Sequence, residues 1–429
     1  LRISHEFLSG KHAGGKIMKI MFYGNHLKHY YLAKWLRAKG HDCDLYLLHR
    51  DKPKTLPEWD DPSLKDNYPD WIFQYNYSRK SFFRSICRKI SEPGFLPMPL
   101  IPYLNLLDFY PPRKIKRQCK NYDLVYTSAD ENIIPALDLG KPVVFRPIGY
   151  DMSKLPFQCN TYYHEALSHA IRKRIHKVRT ILVYQEDTIW STRFLGVYDK
   201  IHYYSIPVDV NGMRDNMDRD LLDKLNQQYA SYDHIFLLPS RKLFDENNPA
   251  YKGPEKFLCA AKKLMDEYTG KDIKIVAIVT EKDTADYKQM VSKMEMEGYF
   301  DFINEQLPLH QLSAYIAMNN VIIFNDFGFQ KNHLTGLSRE ALGLGSILVD
   351  YTDVEAPLFI KLYGGNCPLL PAGTSDEILT QMEKLISMEP RELDQLRKRS
   401  RDWAYENLHW ENRIDELVNI LEEAINGGK

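Results

Sequence analysis

The stretch His333-Leu334-Thr335-Gly336-Leu337-Ser338-Arg339-Glu340-Ala341-Leu342-Gly343-Leu344-Gly345 runs directly into Ser346-Ile347-Leu348-Val349-Asp350. It reads as a Gly-containing loop, a short helix bearing one carboxylate, and a buried parallel strand. The helix N-terminus at Thr335 and Gly336 offers unpaired backbone N–H groups and a partial positive charge, a combination that binds phosphate. Glu340, about one helical turn further on, is placed to accept hydrogen bonds from two adjacent ribose hydroxyls. Such a pairing suits a sugar nucleotide.

Outward from that stretch, short apolar segments alternate with amphipathic helices, the pattern of parallel sheets covered on both faces. In the first half, strands are predicted at 19–23, 44–48, 123–126, 142–145, 180–183 and 200–204, with helices running to Ala38 and over 132–139. The periodicity breaks near 207–220. It resumes with strands at 234–238, 273–279, 320–324 and 346–349, and from Ser375 onward only helical periodicity remains. The expected fold class is therefore α/β, with two doubly wound Rossmann-like domains facing across a cleft and C-terminal helices bracing both. Expected boundaries are a tail or cloning remnant at 1–16, an N-terminal acceptor-side domain at 17–212, a C-terminal nucleotide-binding domain at 213–400, and a final helix at 401–429 packing back towards the first domain.

With 429 residues, 44% apolar and 27% charged, the chain has the composition of a globular enzyme too long for a single core. Lys plus Arg equals Asp plus Glu at 57 each, so no global charge recruits nucleic acid. Cys43, Cys87, Cys119, Cys159, Cys259 and Cys367 are scattered without metal spacing, as expected of reduced thiols in the cytoplasm. The longest apolar run, 95–110, is broken by Pro97, Pro99 and Pro102, and the first residues lack the apolar region of a secretory signal. A cytoplasmic location is expected, or one peripheral at the inner face of the membrane.

Residues 68–120 combine Trp71, Phe73, Tyr75, Tyr77, Phe82 and Phe83 with many Arg and Lys. They read either as a helical insertion whose aromatics pack on the first domain, or as a basic, aromatic membrane-surface contact reaching a lipid-linked acceptor.

Several chemistries are excluded or weak. The turn after strand one, Gly24-Asn25-His26, lacks the three-glycine dinucleotide spacing, and no phosphate-loop Gly-Lys-Ser/Thr occurs. Asp42-Cys43-Asp44 resembles a metal-binding Asp-x-Asp but lies at the wrong end of a strand, and reads as solvated turn residues. More telling are Arg241, after the first strand of the second half, and Lys252-Gly253, opening its first helix. A strand-end Arg and a helix-start Lys can converge on one diphosphate and stabilise its departure.

The order of Arg241, Lys252-Gly253, the strand end at Asp326, Glu340-Ala341 with Gly345, and the late Trp410-Glu411 resembles the retaining GT-B glycosyltransferases of the family-4, glycogen-synthase-like type. The resemblance covers most of residues 18–425 at the level of motifs. It implies that Arg241 and Lys252 hold the donor diphosphate, that Glu340 binds the ribose, and that no essential metal or cofactor is needed beyond the nucleoside-diphosphate sugar itself. It also implies donor contacts from Gly336, Leu337, Thr335 and Gly24. In the first half, Arg146-Pro147-Ile148-Gly149-Tyr150-Asp151 is similar to the family's turn facing the reacting sugar, which marks Asp151 as catalytic.

One departure stands out. Asn332 occupies the place of the family's second Glu, beside His333, so an Asn or His is expected to bind sugar hydroxyls there, with Asp326 as an alternative acidic partner. The expected activity is sugar transfer with retention to a hydroxyl acceptor, a glycan or lipid-linked glycan, as in polysaccharide biosynthesis. The alternatives are a GT-B-type nucleotide-sugar epimerase and a non-catalytic relative that binds nucleotide or glycan.

Overall fold

Strands buried on both faces read as unbroken apolar runs, and His234-Ile235-Phe236-Leu237-Leu238 is such a strand, buried at every residue. The computed structural model describes residues 16–48, 55–65, 67–75, 111–128, 130–159, 162–239, 251–268, 272–279 and 281–427. The chain divides into two units, the first comprising Leu1–Tyr204 and Ile414–Lys429, the second Ser205–Arg413.

Unit 1 holds a seven-stranded sheet of β1 (Lys19–Tyr23), β2 (Asp42–Leu47), β3 (Ile72–Gln74), β4 (Leu124–Ser128), β5 (Val143–Arg146), β6 (Thr180–Val183) and β7 (Ile201–Tyr203). Its order is β3-β2-β1-β4-β5-β6-β7 and every ladder is parallel. Unit 2 repeats the plan with β8 (His234–Leu238), β9 (Ile273–Ile278), β10 (Phe300–Ile303), β11 (Val321–Phe324), β12 (Ile347–Asp350) and β13 (Leu370–Pro371), in the order β10-β9-β8-β11-β12-β13. Both sheets turn back on themselves between their first and fourth strands, and a crevice opens at the carboxyl ends of the strands on either side of such a reversal. The two-domain α/β architecture is as expected.

Three strands escaped the sequence reading. β3 is three residues long inside the segment read as an insertion, β10 is interrupted by Asp301, and β13 has two residues, one of them Pro371. Trp71 stacks on Tyr30 at 5.9 Å, and Phe73 and Tyr75 both stack on Tyr46, at 5.0 and 5.7 Å. Phe73 and Tyr75 pack on their own sheet and Trp71 on the helix Leu27–Ala38; Tyr77, Phe82 and Phe83 lie outside the described residues. Asp42 and Asp44 belong to β2 and not to a turn. Arg37 approaches both, at 3.6 and 4.0 Å, and Tyr122 donates to Asp44. Among the described residues no helix is long and apolar enough to cross a membrane.

The last helix, Trp410–Asn426, contributes to unit 1 through Asp415, 2.8 Å from Lys39, and the Ala424 carbonyl, which accepts from Arg179 Nε at 3.3 Å. In unit 2, the segment after Ser205 pairs with the one before Trp410. Val208 N–H donates to the Leu408 carbonyl, and Trp410 N–H donates to the Val208 carbonyl, both at 3.0 Å.

Candidate functional site

Helix Gly336–Leu344 starts at the loop that follows β11 and ends against β12. Thr335 caps it in extended geometry, its hydroxyl accepting from Ser338 N–H at 3.2 Å. The amides of Gly336 and Leu337 precede the first intrahelical bond and have no acceptor among the described residues. At the far end Gly345, at φ 82°, donates to Leu342 while Ser346 donates to Ala341, the double bond of a Schellman cap. Glu340 is half-buried on this helix, four residues after Gly336.

The helix start is fixed from beneath. Asn325, just past β11, donates through Nδ2 to Thr335 Oγ1 (3.2 Å), Ser338 Oγ (3.1 Å) and Asp350 Oδ2 (2.8 Å). Ser338 Oγ donates to the same Asp350 oxygen at 2.8 Å, and Thr352 donates to the other at 3.1 Å. Asp350 is fully buried, and burial pushes its carboxyl up despite these donors. Arg339, buried, reaches Ser205 Oγ at 3.2 Å, the Ile206 carbonyl and the Thr335 carbonyl. Neither Asn325 nor Arg339 was singled out from the sequence. The signal for Asn325 was its place one residue past a buried strand.

Beside the helix start, Asp326 accepts from both Lys252 and Lys331, the latter at 2.9 Å. Burial alone would raise this carboxyl, whose side chain is 1% exposed, but the two ammonium groups outweigh it and hold the group below the usual carboxylate range. Lys331, unremarked in the sequence, is therefore part of the same cluster as the predicted Lys252. The backbone supports that meeting. A Cβ on Gly253 (φ 60°) would lie 2.7 Å from the Phe327 carbonyl, and one on Gly328 would lie 2.3 Å from the Tyr251 carbonyl oxygen. Only glycine permits so close an approach of the two loops.

His333 is also near this cluster. Burial, then the charges of Lys331 and Arg339, lower its pKa to about 3, so the ring is neutral at any physiological pH. Asn332 is half-buried next to it. Arg241 lies outside the described residues. The structure thus brings Lys252, Asp326 and His333 into one electrostatic cluster and sets Thr335, Gly336, Leu337 and Glu340 along one helix. A separate cavity of about 310 Å³, lined by Arg214, Arg397, Leu344 and Ser346 among others, opens at the amino ends of β11 and β12, away from that site.

In unit 1, the expected residues are distributed over the carboxyl ends of β1 and β5. Gly24 adopts φ 109°, and its carbonyl meets His29 Nδ1 at 3.0 Å. Asp151, buried, accepts from Ile148 N–H with both oxygens, at 2.9 and 3.1 Å, and so closes the turn after β5. Arg146, the last residue of β5, is 4% exposed, with its guanidinium 5.2 Å over the Tyr184 ring.

No protein-family model matches the chain, and no curated protein matches it in sequence. Its structure does match solved ones across nearly the whole chain. Anabaena HepE in complex with UDP aligns at a TM-score of 0.60 and 12% identity, covering 95% of this chain and 100% of that one. The fold is GT-B. A glycosyltransferase from Rickettsia africae aligns at a TM-score of 0.62 and 12% identity, covering 96% and 99%. A UDP-GlcNAc 2-epimerase from Methanocaldococcus jannaschii aligns at 0.51 and 12%, covering 95% and 99%.

Proposed function

We propose that this GT-B chain transfers a sugar from a nucleoside-diphosphate sugar to a hydroxyl acceptor, with retention at the anomeric carbon. The observation that carries the reading is the Thr335-capped helix, whose Gly336 and Leu337 amides open beside the lysine pair on Asp326. In this reading the amides and Lys252, with Lys331 and Arg241, hold the donor diphosphate. Fixed donors and cations there stabilise the charge that grows as the nucleoside diphosphate leaves. Glu340 accepts the ribose hydroxyls. Asn332 and neutral His333 bind sugar hydroxyls in place of a carboxylate. The departing phosphate takes the acceptor proton on the same face, and the chain's own cations serve where a divalent ion otherwise would. Solved relatives in fold with UDP, or with UDP and glucose, support a UDP-type donor. A glycan or lipid-linked glycan acceptor, reached at a membrane surface through residues 68–120, belongs with this reading; liposome co-sedimentation tests that contact.

The likeness to an epimerase gives a second reading in which the same nucleotide sugar is isomerised. A thermal-shift screen over UDP-, GDP-, ADP- and dTDP-sugars, followed by NMR of the best donor incubated with the protein, separates the readings. Transfer predicts a midpoint rise with one nucleotide family and slow release of free sugar. A new nucleotide-sugar isomer means epimerisation, and no shift with any nucleotide removes both.

A further inference from the structure

The carboxyl end of β5 carries a charge that no described side chain neutralises. Arg146 pairs in register with Ser128 at the end of β4, next to the β1–β4 reversal of unit 1. Its side chain is buried, and its Nε and Nη1 have no hydrogen-bond acceptor among the described residues. Among the carboxylates whose side chains are described, none forms an ion pair with it. The nearest acid in sequence, Asp151, gives both oxygens to Ile148 N–H. A guanidinium cannot shed its proton to escape burial.

The groups that face it are uncharged. His29 is lowered to about 3 and His26 well below its usual value, in each case by burial first, with Arg146 adding to the effect. Tyr126, fully buried, is likewise neutral because burial raises its phenol. Stacking on Tyr184 offsets part of the desolvation but makes no hydrogen bond to the two orphaned donors. Two residues past the end of the next strand, β6, Gln185 Oε1 is also buried without a donor among the described residues, and a Cβ on Gly149 would sit 3.0 Å from it.

We propose that Arg146 at the end of β5 and Gln185, the cap of the helix after β6, form an anion subsite, which takes a phosphate or carboxylate borne by the acceptor. The guanidinium supplies charge-assisted donors to the anionic oxygens, and Gln185 Oε1 accepts from a neighbouring hydroxyl, so the ligand class is a phosphorylated or uronic-acid sugar. The assignment to the acceptor rests on the transferase reading above, because there the other unit holds the nucleotide.

The test is isothermal titration of the full chain saturated with UDP, so that the donor site is filled. Inorganic phosphate, D-glucuronate and neutral methyl α-D-glucopyranoside are the probes. At least one anion binds the native chain while the glucoside does not, and Arg146→Gln weakens that anion at least tenfold. Arg146→Lys retains part of the binding. Binding by phosphate alone marks a phosphorylated acceptor, and binding by glucuronate marks a carboxylate. Removal of an uncompensated buried charge leaves the Arg146→Gln midpoint equal to or above the native one. A lower midpoint marks Arg146 as structural and overturns the proposal, as does failure of both anions to bind the native chain or equal binding by Arg146→Gln. If Arg146→Gln weakens UDP itself tenfold, the residue serves the donor and the acceptor assignment falls. If UDP does not bind the native chain, the transferase reading fails separately, and the same titration without UDP decides the anion subsite alone.

Discussion

Lys331 Nζ lies 2.9 Å from Asp326 Oδ2, the same oxygen that receives Lys252. One buried carboxylate thus organises two cations at the end of β11, leaving one net positive charge for a ligand.

Replacing Asp326 by Asn leaves the two lysines facing each other without a counter-charge, and about 3 kcal/mol of stability is expected to go with it. The pH dependence has a definite sign. Although burial pushes the carboxyl up, the lysines hold its folded pKa below the unfolded value of about 3.9. The stabilisation is therefore full above that pH and lost as acid carries the group through its folded pKa. Thermal midpoints measured from pH 7 down to pH 3 should show the native chain losing more than Asp326→Asn; parallel curves would refute the coupling.

Asp350 behaves in the opposite sense. Burial raises its carboxyl, so the folded state favours the protonated form, and that contribution fades as pH rises through the folded pKa. Ser338 Oγ donates to the ionised form. Ser338→Ala should cost about 1–3 kcal/mol where Asp350 is ionised and distinctly less once acid protonates it, as read by denaturant unfolding over a pH series.

Glu340→Ala should weaken UDP by roughly 1.5–3 kcal/mol, or about 10- to 150-fold, the worth of a charge-assisted hydrogen bond to ribose. Since this side chain is half-exposed, the unliganded midpoint should hardly move. Isothermal titration checks the first figure and a thermal melt the second; equal UDP affinity removes Glu340 from the donor site.

Two glycines of the site are expected to diverge. Gly328→Ala drives a methyl into the Tyr251 carbonyl, with a loss of about 1–3 kcal/mol. Around Gly336 a Cβ meets nothing within 4 Å, so Gly336→Ala should stabilise the helix by about 0.5–1 kcal/mol. If a phosphate approaches that amide, Gly336→Ala nevertheless weakens UDP. Melting with and without UDP separates the two effects.

The long strands were legible because parallel burial writes itself as apolar runs, and 180–183 and 234–238 coincide with β6 and β8. Helix 336–344 was legible from Thr335 and Gly345, whose capping chemistry is local. What could not be read were partners brought in from a distance. Lys331 reads as one more surface cation until the fold sets it against Asp326. Arg339 sits on the same helix as Glu340, yet its contacts are with Ser205 and Ile206, some 130 residues earlier in sequence. Short edge strands such as β3 were hidden for a related reason, since their pairing with β2 and not their own composition makes them strands.

The two backbone bonds of Val208 to Leu408 and Trp410 have a topological meaning. The segment that begins unit 2 and the one that ends it are zipped together, so the second unit is an insertion whose ends already meet. Ends that meet are the condition under which a domain can be excised or transplanted. Residues 205–413 are therefore expected to fold alone, and a UDP titration of that fragment is the measurement that reads the contribution of the helix at Thr335, the Asp326 lysine pair and Glu340 without unit 1.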